Sequence, residues 1–309
     1  MTGTVALPAA LLQRSDVRGL RQLAAHTLLL GLTGTAIFLT RGTLYLVPAV
    51  FLQGILLVCL FCPLHETTHR TAFASRTLNR GVGWACGALL LLPPEFFRQF
   101  HFTHHRYAQD PARDPELAQP PPASLGAYLW RASGFPNWHR RLSVTLRHAL
   151  TGQVDEPFVP AHQHAAIVRE ARLLWSLYLA VLVISLALRK AEALIYWILP
   201  VMAGQPFLRL FLLSEHFGCA ASDDTLLNTR TTLTNPLMRL VTWQMSYHAE
   251  HHWFPAVPFH ALGRLHALMP PHVTAERGYI ASHRAMILSL RRGGRPAELR
   301  RRSPSGSFR

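Results

Sequence analysis

Three short clusters, His65-Glu66-Thr67-Thr68-His69, His101-Phe102-Thr103-His104-His105 and His248-Ala249-Glu250-His251-His252, supply eight histidines spaced mostly three or four residues apart. On a helix such residues share a face, so each cluster can aim two or three ring nitrogens at one place. Neutral imidazole suits iron, copper, zinc and nickel, and eight exceed what one ion can use, which implies two ions of about four protein ligands each. Two irons have the redox reach for dioxygen; zinc has no redox chemistry and would be expected to hydrolyse something instead. The soluble dimetal pattern of paired Glu-x-x-His motifs is matched once, at Glu66-Thr67-Thr68-His69, and its second copy is missing.

The elements that must position these boxes are apolar. Blocks at residues 22–40, 43–64, 173–188 and 193–213 approach the ~20 residues a helix needs to cross a bilayer core. The sequence therefore predicts an all-α integral membrane protein with about four transmembrane helices. It reads as one domain over residues 1–309, with a helical cap at 65–172 and 214–290 that carries the histidine-rich dimetal site, and a basic tail at 291–309. The net charge of +15 follows the loops and does not suggest nucleic acid. Arginines precede the first block and fill both large loops, while the connector between the first two blocks holds only Arg41. By the positive-inside rule the termini and the cap face the cytoplasm, as in a bacterial inner-membrane protein, with Arg189 and Lys190 against the pattern. No removable signal peptide is expected. Cys59 and Cys62 fall inside an apolar block, and Cys86 and Cys219 stand alone, so neither a disulfide framework nor a zinc-type cysteine pair is expected.

The first box directly follows the second block. The second lies after Pro93-Pro94-Glu95, a first helical turn, and ends before Asp110-Pro111. The third follows the cap Asn235-Pro236, and its helix is expected to run to Phe254 before Pro255 stops it. Even numbers of spans separate the boxes, so all the box imidazoles reach one side of the membrane. Residues 82–92 are too short to cross and are expected to pack under the site or dip into the interface.

The boxes, their order and their placement relative to the spans resemble the membrane fatty acid desaturase superfamily, from about the second span to Trp253-Phe254-Pro255-Ala256-Val257-Pro258-Phe259-His260. The resemblance implies a non-haem diiron enzyme. In that family an external donor, a ferredoxin or a cytochrome b5-like protein, reduces the irons so that dioxygen removes hydrogen from an unactivated C–H bond. Carried over by position, His65, His69, His101, His104, His105, His248, His251 and His252 are ligands. His216, in Ser214-Glu215-His216-Phe217, matches a further family histidine near the last span. The implied reaction is desaturation of a fatty acyl or related amphiphilic membrane substrate, with hydroxylation or ketolation as alternatives within the superfamily. The stretch from Asn228 to His252 also resembles bacterial forms that act on small molecules, including the amino-acid enol ether rhizobitoxine.

Glu66, Asp110, Asp114, Glu215 and Glu250 are expected to accept hydrogen bonds from non-ligating ring nitrogens. His26, His139, His148, His162, His164, His260, His266 and His272 lack the box spacing and read as ordinary histidines. Two rival readings explain less. His65-Glu66-Thr67-Thr68-His69 is also a zinc-protease motif, but that reading leaves two boxes unused. A metal transporter should carry facing ionisable ligands within its spans, which here hold only His26 and Arg209. The tail arginines, among them Arg291, Arg292, Arg295, Arg300, Arg301 and Arg302, are expected to dock an acidic donor or anionic headgroups.

Overall fold

The computed structural model describes residues 7–292, so the tail beyond Arg292 lies outside the described residues. Four helical columns among them are long and apolar enough to cross a membrane: Ala9–Thr40, Leu46–His69, Ala161–Ala187 and Leu194–His216. Each is longer than its apolar block, because caps and breaks end a helix where hydropathy alone does not. Helix α1 (Asp16–Thr40) starts at Ser15, whose hydroxyl accepts from the Arg18 amide, so Arg18 and Arg21 lie inside the helix.

The second column is α2 (Leu46–Cys59) followed by α3 (Phe61–His69). Pro63 lacks the N–H that would bond the Cys59 carbonyl, and the column breaks at Leu60 between them. Helix α3 ends where Arg70 turns left-handed, φ 59°. Helix α4 (Arg76–Leu90), which contains most of the short apolar run, packs along α3 beneath the first box. Helix α5 (Pro94–Tyr107) carries the second box, and its first amides, of Glu95 and Phe96, donate to the Glu170 carboxylate at 3.0 and 3.4 Å. The short helices α6 (Leu125–Ala132) and α7 (Phe135–Thr151) expose Leu129, Trp130, Phe135, Leu142, Leu146 and Leu150.

Helix α8 (His164–Ala187) forms most of the third column, and a π-helical turn at Leu194–Ile198 leads into α9 (Leu199–His216). Helices α2 and α9 meet backbone to backbone. A Cβ on Gly54 would sit 2.2 Å from the Pro200 carbonyl oxygen, and one on Gly204 would sit 2.3 Å from the Gly54 oxygen. Only glycine permits that approach.

After α9 come α10 (Thr225–Asn228) and the strand β1 (Thr231–Leu233). The expected single helix from Asn235 to Phe254 is two helices: α11 (Pro236–Val241), capped by the Asn235 side chain, and α12 (His248–Trp253). Between them Trp243 and Gln244 adopt φ of 50° and 61°. The break follows from burial, since Trp243 and Met245 are fully enclosed and the Trp243 indole N–H donates to His26 Nδ1 at 3.3 Å. His26 in turn donates from Nε2 to the Leu56 carbonyl, tying this turn to α1 and α2. The chain closes with α13 (Phe259–His266), β2 (Ala275–Arg277) and α14 (Tyr279–Arg291). Strands β1 and β2, the only strands among the described residues, pair in parallel over three residues with Thr231 opposite Ala275. Phe61, Leu64, Phe97, Leu208, Phe211 and Trp243 belong to the main buried cluster, which joins the box-bearing helices to α9.

Candidate metal centre

Nine histidines converge in two groups, His65, His69, His101, His105 and His251 in one, His104, His216, His248 and His252 in the other. Within each group one ring nitrogen per residue lies within 4.8 Å of the others. A single target per box was expected; boxes two and three serve both groups. Successive helical residues are rotated by about 100°, so His104 and His105 diverge, as do His251 and His252. In box two the four-apart pair His101 and His105 joins the first group and His104 the second. Box three mirrors this, sending His248 and His252 to the second group and His251 to the first. His216, at the end of α9, completes the second group.

The hydrogen bonds set the tautomers. His104 Nδ1–H donates to Asp114 Oδ1 at 3.0 Å, with Glu116 Oε2 at 3.3 Å, and His216 Nδ1–H donates to the Asn228 carbonyl at 3.1 Å. Both Nε2 atoms therefore carry bare lone pairs, yet they lie 3.1 Å apart, and His248 Nε2 is 3.1 Å from that of His216. In the first group Nε2 pairs approach to 2.7 Å (His69 and His101), 3.0 Å (His101 and His105) and 3.1 Å (His105 and His251). With metal–nitrogen bonds of about 2.1 Å, two ligands at right angles on one ion sit about 3.0 Å apart. Both ring nitrogens of His65 and of His252 are buried without a hydrogen-bond partner, a costly arrangement unless something coordinates them.

Protonation agrees with ligation. Burial, reinforced by neighbouring imidazoles, pushes His101, His105, His248, His251 and His252 well below the usual histidine range, into the neutral form that binds metal. His104 moves the other way: burial would lower it, but Glu116 and Asp114 outweigh that and raise it. The donor set, its spacing and the neutral state of those five rings fit two metal ions.

Of the carboxylates expected to steer the rings, Asp114 bonds His104 and Glu215 Oε1 lies 3.4 Å from His248 Nδ1. The other three do not face a box histidine. Glu66 accepts from the Thr71 hydroxyl and the Phe259 amide, Glu250 binds the Thr231 hydroxyl and His266, and Asp110 pairs with Arg113. Glu66 follows His65 by one residue and Glu250 follows His248 by two, which turns them about 100° and 200° off the histidine face. They tie the boxes to neighbouring segments instead. Glu66, enclosed and committed in this way, is also not placed as the base of a zinc protease. Sequence reasoning missed Glu116 and Asn228; the latter acts through its main-chain carbonyl, which no residue type announces. His266, read as ordinary, supports Glu250, while His148 pairs with Glu156 away from both groups.

Asp114 also accepts from the Gln109 and Glu116 amides at 2.9 Å each, so it is held rigidly behind His104. Asp114→Asn is expected to lower metal affinity by roughly 10 to 100-fold. Competition with a chelator would measure this, with Asp110→Asn as the control that leaves affinity unaltered.

A cavity of about 440 Å³ reaches both groups, bordered by His65 and His101 of the first and His104, His216 and His248 of the second. Phe61, Leu92, Phe96, Phe97, Phe100 and Phe158 form much of its apolar wall.

The fatty acid desaturase family model matches residues 41–283. The chain is 27% identical to a dihydrorhizobitoxine desaturase of Bradyrhizobium elkanii, over 63% of this chain and 59% of that protein. It is 29% identical to a sphingolipid delta(4)-desaturase of Drosophila melanogaster, over 69% of this chain and 62% of that protein. A delta(12) fatty acid desaturase of Mortierella isabellina is 35% identical over a shorter stretch, 32% of this chain and 27% of that protein. The chain thus spans about three fifths of the length of the first two relatives, 59% and 62%.

Proposed function

The chain belongs to the fatty acid desaturase family, and on that premise we propose that it is an oxygen-dependent membrane desaturase acting on a fatty acyl or related amphiphilic substrate. The observation that carries this reading is the apolar cavity bordered by histidines of both groups. In this reading His65, His69, His101, His105 and His251 hold one iron and His104, His216, His248 and His252 the other. An iron pair held there supplies the redox chemistry that sets dioxygen against an unactivated C–H bond. The protein's own part is placement: Asp114 and the Asn228 carbonyl lock two ring orientations, and the phenylalanine wall holds an alkyl segment and excludes water. Overall the substrate gives up two hydrogens, and dioxygen leaves as two waters after taking up two further electrons and protons.

Those electrons need a separate donor. The arginine tail lies outside the described residues; among those described, a groove beside box one also supports a docking role, lined by Arg70, Arg76, Arg80, Arg98, Arg169 and Arg172. Arg98 lies over the Phe102 ring at 4.9 Å, and that ring is 5.3 Å from His69. An acidic ferredoxin or cytochrome b5-like protein fits this charge. The double variant Arg76→Glu, Arg169→Glu is expected to raise the donor concentration for half-maximal rate roughly tenfold at low salt and to flatten its salt dependence. Identical donor titrations for both proteins would place docking elsewhere. The cap, with α6 and α7 resting their exposed apolar faces in the headgroup layer, lies on the cytoplasmic side in this reading.

The deciding experiment is expression in a host of known lipid profile, paired with metal analysis of the purified protein. Two irons per chain and a product two hydrogens lighter are expected. One zinc and no iron, with peptide-bond cleavage, would sink the desaturase reading.

A further inference from the structure

Four arginines line the same cavity, Arg209 from α9, Arg131 from α6 and Arg140 and Arg141 from α7. Arg209 is 9% exposed and belongs to a membrane-spanning column, where an unpaired charge is costly. Its Nε has no hydrogen-bond partner. Arg141 donates to the Leu90 carbonyl and Arg131 to those of Gln119 and Pro120, and none of Arg131, Arg141 and Arg209 makes an ion pair among the described residues. Burial pulls the Arg141 guanidinium down only to about 10, so it stays cationic at neutral pH.

None of the cavity's carboxylates forms an ion pair with these arginines, although the Glu116 charge reaches Arg131 and Arg209. Glu116 lies against His104, Glu215 near His248, and Glu156 is taken by Arg147 and His148. Arg209 and His216 are seven residues apart on one helix, hence on the same face and about 10 Å apart along its axis. One cavity thus has carboxylates beside the histidines, an aromatic wall, and guanidinium groups without ion pairs, that of Arg209 two turns from His216.

We propose that Arg209, with Arg131 and Arg141, binds an oxyanion on the substrate, a carboxylate or a phosphate, so that the enzyme takes an anionic amphiphile and not a neutral ester or amide. This rests on the desaturase reading only for the use of the cavity. Guanidinium groups suit either oxyanion, since their forked donors match carboxylate and phosphate geometry. The anchor sets how far from the anionic group the oxidised carbons lie, because the headgroup is fixed about two helical turns from His216.

Binding, measured without turnover, separates the two proposals. Purified full-length protein in nanodiscs of neutral lipid would be titrated with palmitate, hexadecyl phosphate and methyl palmitate. At least one of the two anions should bind tenfold or more tightly than the ester, and the tighter one identifies the oxyanion. Arg209→Gln should erase that preference while the ester's affinity and the metal content stay as in the unaltered protein; Arg209→Lys should keep part of it. Should Arg209→Gln fail to fold, Arg141→Gln provides the same comparison, with a preference reduced several-fold. Equal binding of anions and ester by the unaltered protein would overturn the proposal. So would a preference that survives in the folded glutamine variants, because it would then come from the general basic surface. A protein that discriminates in this way yet makes no double bond would refute the desaturase reading and leave the anion site standing.

Discussion

Replacing His104 or His251 by alanine is expected to abolish turnover and to reduce the metal content from two irons to about one. The two residues lie in different groups, so each variant should lose a different ion. His251 is fully enclosed, and its Nε2 is 3.1 Å from that of His105. His104 has Asp114 and Glu116 behind Nδ1, and its removal leaves those carboxylates facing a void as well as breaking the contact with His216. Removing an outer partner of a metal ligand typically costs 10 to 100-fold, and losing the ligand itself should cost far more. Neither residue lies in a membrane-spanning column, so insertion should persist. Metal analysis and product assay on the same preparation check this. Full turnover by either variant would remove that residue from the centre.

The second large effect is structural. Gly204→Leu is expected to prevent accumulation of folded protein, because a Cβ there meets the Gly54 carbonyl oxygen at 2.3 Å and a helix backbone cannot rotate aside as a side chain can. Overpacking usually costs about 1–3 kcal/mol. Here relief requires α2 and α9 to part along their contact, which also separates the first box from His216. Gly31→Leu is the control, since a Cβ at Gly31 meets nothing within 4 Å. Folded yield by size-exclusion chromatography in detergent would read the difference. Equal yields would show that the two helices do not need this approach.

The four spans, the three boxes and their arrival on one side of the membrane were legible in the sequence, because hydropathy blocks and short helical spacings are local properties. His216 was legible only through resemblance, as an isolated histidine carries no spacing signal. The helix expected from Asn235 to Phe254 was not one helix, since Trp243 is drawn into a core that α1 and α2 create.

The sequence by itself determined how many imidazoles there are, which can share a helical face and that the three boxes can meet at one site. Tertiary structure decided how they divide between two groups, since the turn of about 100° between neighbouring residues becomes a partition only once the helices are oriented. It likewise selected Asp114 over Glu66 and Glu250 as a ring partner, and gathered Arg131, Arg141 and Arg209 from three helices into one cavity. Those pairings join residues distant in the chain, and long-range packing alone sets such distances.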